Sequence, residues 1–118
     1  MNPEQILLSE PNILGNELKY LKECLRSNWI SSSGKYIEEF EKKISDYTGA
    51  KYAVSCVNGT SALHLSLKIL GIKSGDEVIV PTLTFIAPIN TIIYNNCYPI
   101  FIDADNFFNI DINKCIDF

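Results

Sequence analysis

The 118-residue chain holds one histidine, one tryptophan and one methionine, and each scarcity closes off a class of chemistry. With a single histidine, and with Cys24, Cys56, Cys97 and Cys115 far apart in no CxxC pair, a zinc centre lacks ligands at usable spacing. The same spread gives no disulfide framework and fits a reducing, cytoplasmic compartment. Positive charge is also scarce: 10 Lys and Arg stand against 14 Asp and Glu, a net charge of −4. The lysines are scattered, so neither nucleic acid nor an anionic membrane surface is an expected partner. No apolar run approaches the roughly 20 residues that cross a bilayer. The opening MNPEQILLSEPN has neither the basic start nor the apolar stretch of a secretory signal. Without that route, the sequon Asn58-Gly59-Thr60 is not expected to carry a glycan. GxGxxG and GK[ST] are both missing, which excludes a dinucleotide fingerprint and a Walker loop.

What is present is ordinary for one globular domain: 47% apolar and 20% charged residues, enough for a modest core. Leu18, Leu21 and Leu25 share one face of a helix expected over Glu17–Arg26. Trp29 to Gly34 breaks the period and reads as a loop. Ile37, Phe40, Ile44 and Tyr47 then mark a second helix over Lys35–Tyr47, stopped by Gly49. Residues 1–50 thus form an N-terminal helical segment.

Residues 51–118 read as the start of an α/β layer. Three short strands are expected at Tyr52–Val57, Glu77–Val80 and Ile100–Asp103, rich in β-branched and aromatic residues. Cys56, inside the first, is expected to be a buried, inert thiol. Helices over Ser61–Leu70 and Ala87–Tyr94 lie between the strands, the second with Pro88 in its first turn. Strand alternating with helix implies parallel pairing and crossover connections. Asp111 is placed to cap a last helix from Ile112 to Phe118. Three parallel strands cover little apolar surface, so the chain is expected to be the front part of a larger fold.

The stretch VNGTSALHL, Val57 to Leu65, sits where strand gives way to helix. Its glycine and two hydroxyl residues fall at the positive end of a helix, a favourable seat for phosphate. Serine or threonine there is more often a simple cap, although no capping box is formed, since Leu63 and His64 occupy the third positions. The second informative stretch is GDEVIVPTLTFIA, Gly75 to Ala87, in which Phe85 follows the end of a strand. There its ring can stack on a flat cofactor or pack into the core. In an open parallel sheet the carboxyl ends of the strands are where ligands bind.

Together VNGTSALHLSL, GDEVIVPTLTFIAPIN, PIFIDADNFFNID and the upstream NWISSSGKYIEEFEKKISDYTGAKYAV resemble the DegT-type family of pyridoxal-phosphate-dependent nucleotide-sugar aminotransferases. The resemblance runs through nearly the whole chain in order, and its closest branch is LegC-like. It implies the N-terminal portion of a large domain of the aspartate aminotransferase-like fold type I, a parallel sheet flanked by helices. It implies pyridoxal 5'-phosphate as cofactor, with Gly59, Thr60 and Ser61 on its phosphate and Phe85 against its ring. Ser31 and Ser32 are implied substrate contacts. The implied reaction moves an amino group, from glutamate, to a UDP-linked 4-keto-6-deoxy sugar in a homodimeric enzyme. His64 is implied to be a packing residue; Asp103 and Asp105 read as solvated turn or structural carboxylates, with a role in the site as the alternative.

The family also needs a lysine that bonds to the cofactor aldehyde and a carboxylate that holds the pyridine nitrogen protonated. The resemblance places both beyond residue 118. Lys68 and Lys73 read as solvent-facing, so no residue of this chain is a candidate catalytic group and the chain alone is expected to be inactive. Two rivals stand beside this reading: a sugar dehydratase on the same scaffold, with histidine in place of that lysine, and a non-catalytic anion-binding module.

Overall fold

The computed structural model describes residue 6 and residues 9–118. The chain divides into two compact units, one ending at Ala53 and one running from Val54 to Phe118.

The first unit is helical. Helix α1 spans Glu17–Ser27 and α2 spans Lys35–Thr48, within a residue of the ends expected from the apolar period. Asn28 closes α1 in the left-handed conformation at φ 58°. Gly49 closes α2 at φ 73°, donating its amide to Ser45 O at 3.0 Å. The two helices are tied by Lys35 Nζ on Glu23 Oε1 at 3.1 Å and by the Tyr20 and Tyr36 rings at 4.9 Å. No described residue of this unit is fully buried; Leu18, Leu21 and Leu25 keep their shared face open to solvent.

Gly34 starts α2 at φ 141° and ψ 170°, a region only glycine occupies without strain. A Cβ there would sit 3.5 Å from Trp29 Cε3, an ordinary contact, so the demand for glycine is conformational rather than steric. Gly34→Ala is expected to cost about 1–3 kcal/mol. The drop should appear as a lower denaturant midpoint followed by the fluorescence of Trp29; an unchanged midpoint would refute it.

The second unit carries helix α3 (Gly59–Ile69), strand β1 (Glu77–Pro81), helix α4 (Ile86–Tyr94), strand β2 (Tyr98–Ile102) and helix α5 (Ile112–Asp117). β1 and β2 pair in parallel, from Glu77 opposite Tyr98 to Pro81 opposite Ile102. The ladder is continued by Tyr98 N on Asp76 O and Thr82 N on Ile102 O, both at 2.8 Å. Helix α4 is the crossover between them. Its inner face meets the sheet: Ile92, Val80 and Cys97 form the buried cluster, with Leu67, Ile72, Val78 and Ile89 around it. Thr91 is buried beside them at 1% exposure, and its hydroxyl is satisfied by Pro88 O at 2.7 Å.

Three expectations fail here. Tyr52–Val57 forms no strand, so the sheet has two strands, not three, among the described residues. A strand is defined by a neighbour's hydrogen bonds, and β-rich composition alone supplies none. Cys56 is correspondingly exposed rather than buried, because no sheet neighbour among the described residues fixes one face of this segment inward. The last strand also lies earlier than expected, starting at Tyr98 and ending at Ile102. Pro99, which has no amide hydrogen, hides that start in the sequence, yet it stands opposite Val78 in the ladder.

Beyond β2, Asp105 organises a tight turn. Its Oδ1 accepts from the amides of Phe107 at 2.8 Å and Asn109 at 3.0 Å. Asp103 pairs with Lys114 at 2.9 Å, and Asp111 caps α5 by accepting from the amides of Asn113 and Lys114. These carboxylates therefore hold structure.

Candidate functional site

The start of α3 is shaped by Asn58. Its Oδ1 accepts the Ser61 amide at 2.8 Å, and its carbonyl oxygen accepts the Ala62 amide at 3.2 Å. A helix leaves its first amides without intrahelical partners. Asn58 takes that of Ser61, leaving those of Gly59 and Thr60 without an intramolecular acceptor among the described residues. A search for a capping box at Thr60 or Ser61 misses this, because the cap stands before the glycine. The signal was available: asparagine is among the strongest N-caps. The cap also explains why α3 begins at Gly59 rather than at Ser61.

Gly59 needs no positive φ, and a Cβ built on it would meet nothing within 4 Å. The missing side chain therefore relieves neither strain nor crowding within the chain; it leaves the two amides uncovered. No acidic residue lies in the first turn of α3. Open amides, adjacent hydroxyls at Thr60 and Ser61, and no negative charge together fit a phosphate group.

Phe85 stands immediately before α4, as its N-cap, and is 87% exposed. It is not a core residue of this chain. Because α4 joins two parallel strands, it runs opposite to them and starts at their carboxyl edge. Segment 70–76 returns the chain from α3 to the amino edge where β1 begins, and α3 packs along α4. Gly59, Thr60, Ser61 and Phe85 thus lie toward one edge of the sheet, the edge where open parallel sheets bind ligands. On the flank of α3, His64 meets the Tyr94 ring at 5.9 Å, a packing contact.

Ser31 and Ser32 belong to the other unit. A concave pocket of about 520 Å³ lies there between α1 and α2, lined by Leu21, Cys24, Trp29, Ser31 and Tyr36. Ser31 is on its wall; Ser32 is not. Glu23 also lines it, and the neighbouring Tyr36 hydroxyl, and then Lys35, hold its carboxyl below the usual carboxylate range. The adjacent Glu23 carboxylate in turn pushes the Tyr36 hydroxyl up to about 12.

The pattern is matched by known proteins. Residues 11–116 fit the model of the DegT/DnrJ/EryC1/StrS aminotransferase family. The chain belongs to that family. It is 54% identical over 97 residues to GDP-perosamine synthase of Escherichia coli O157:H7, covering 82% of this chain and 27% of that protein. It is 49% identical over 111 residues to GDP-perosamine synthase of Caulobacter vibrioides, covering 93% and 30%. The chain thus spans less than a third of the length of these relatives. Among solved structures, Spr1654 of Streptococcus pneumoniae, assigned as a sugar aminotransferase and seen in its PLP form, superposes with a TM-score of 0.87. That match has 33% identity and covers 95% of this chain and 29% of that one. A GDP-4-keto-6-deoxymannose-3-dehydratase also superposes, with a TM-score of 0.78 at 28% identity, over 87% of this chain and 29% of that one.

The α/β architecture with a small parallel sheet is therefore that of PLP-dependent sugar aminotransferases, as the resemblance implied. The relatives named above do not single out the LegC-like branch. Among the described residues, no helix is long and apolar enough to cross a membrane.

Proposed function

We propose that this chain supplies the phosphate seat and the ring platform of a pyridoxal 5'-phosphate-dependent aminotransferase acting on a nucleotide-linked 4-keto-6-deoxy sugar. The observation that carries the reading is the joint placement of two open amides and an exposed phenylalanine toward one sheet edge. Gly59 and Thr60 donate main-chain N–H groups to the phosphate, and the Thr60 and Ser61 hydroxyls add charge-assisted hydrogen bonds. Phe85 lies against one face of the ring and keeps water from it. When bound, the cofactor supplies an electron sink that lets an amino group pass between donor and acceptor.

Ser31, on the wall of the α1–α2 pocket, and Ser32 beside it contact the sugar nucleotide. Glutamate is the amino donor, and the working enzyme is a homodimer. The carrier nucleotide is where the supporting likenesses part. The LegC-like resemblance implies UDP, whereas the relatives described above are named for GDP-perosamine. Likeness to a 3-dehydratase favours a second reading, deoxygenation of the same class of sugar on the same cradle.

Phe85 offers a direct test in the enzyme that carries this sequence. An offset aromatic stack contributes about 1 kcal/mol, so Phe85→Ala should weaken cofactor binding roughly fivefold. Phe85→Tyr should restore it. Because the side chain is so exposed, the melting temperature of the cofactor-free protein should barely move. Absorbance titration with pyridoxal 5'-phosphate reads both variants; equal affinity for alanine and tyrosine would reject the ring platform.

A further inference from the structure

Helix starts in this chain fall into two groups. α1 carries Glu17 in its first turn, α2 carries Glu38, and α5 is capped by the Asp111 carboxylate. α3 and α4 have no acid in the first turn, and the cap of α3 is the neutral amide of Asn58. Helix electrostatics favour an acid at the amino end, and Asp caps as well as Asn. The two helices that begin toward the candidate edge are the two that forgo this stabilisation.

We propose that Asn58 is a positioning residue: its neutral amide fixes the start of α3 while keeping negative charge away from the Gly59 and Thr60 amides. This rests on the cofactor reading above. Asn58 Oδ1 does the work of a cap at 2.8 Å from the Ser61 amide, so the amides left over are those that Gly59 leaves uncovered. A carboxylate in the same place would make the same hydrogen bond and satisfy the helix equally well. It would differ only in repelling an anion brought to the adjacent amides. The choice of asparagine thus serves the ligand rather than the fold.

The test compares Asn58→Asp and Asn58→Ser in the enzyme that carries this sequence. Asn58→Asp preserves the cap and adds one charge; Asn58→Ser preserves the cap without charge. In low salt, Asn58→Asp should bind pyridoxal 5'-phosphate about tenfold more weakly or worse, as expected for like charges a few ångströms apart. In 1 M salt, where screening acts within about 3 Å, most of that loss should vanish. The cofactor-free Asn58→Asp protein should melt at or above the wild-type temperature, and Asn58→Ser should bind within about threefold of wild type. A loss that ignores salt and accompanies a lower melting temperature would overturn the proposal in favour of a purely structural cap. Unchanged low-salt affinity in Asn58→Asp would overturn it as well. If replacing Thr60 and Ser61 still weakens binding in that case, only the neutral cap falls; if neither change matters, the phosphate seat falls with it.

Discussion

Replacing Thr60 and Ser61 together by valine should weaken pyridoxal 5'-phosphate binding by about a hundredfold or more. In the proposed seat each hydroxyl donates to a charged phosphate, and such bonds contribute about 1.5–3 kcal/mol apiece. Two of them amount to at least two powers of ten in affinity. Neither hydroxyl makes a hydrogen bond within the described residues, so removing both leaves no intramolecular partner stranded. Valine also approximates the shape of threonine. The cofactor-free double variant should therefore melt within the range of an ordinary surface change, about 0.5 kcal/mol. The prediction is a split: large loss of bound-cofactor absorbance, little loss of fold. Full absorbance and turnover in the double variant would remove the phosphate seat from this part of the chain.

The core offers the second large effect. Ile92 is 2% exposed and lies between Val80 and Cys97, whereas Ile93, the next residue of α4, is 52% exposed. Ile92→Ala removes methyl groups that α4 and the sheet have closed over. It should cost about 2–4 kcal/mol, part transfer free energy and part residual cavity. Ile93→Ala should cost about 0.5 kcal/mol or less. Urea unfolding monitored by circular dichroism measures both. Comparable losses at the two positions would mean that α4 does not seat on β1 and β2 as described.

Much of this architecture is legible in local pattern. The apolar period of Leu18, Leu21 and Leu25 locates α1, and Gly49 stops α2, because left-handed backbone at φ 73° is easiest for glycine. Asp111 was recognisable as a cap for the same local reason. The segment around Tyr52–Val57 was not, since its strand-like composition says nothing about whether a neighbour is there to pair with it. Phe85 shows the same limit from the other side. Its type and position after β1 left a ring platform or a core residue open, and only its exposure removes it from the core of this chain. Asn58 was readable as a cap but hidden behind a sequon and a failed capping box; its hydrogen bond to Ser61 makes the assignment.

By itself the order of residues determined the helices, the parallel alternation of strand and helix, the family, and the glycine-hydroxyl turn at the start of α3. Each of these depends on neighbours within a few positions, or on motifs recurring in a set order. Tertiary structure alone decided that, among the described residues, two strands pair rather than three, that Cys56 and Phe85 face outward, and that the starts of α3 and α4 lie toward one sheet edge. Those outcomes depend on which distant groups meet, and hydrogen-bond partners and buried surface are properties of contact rather than of composition.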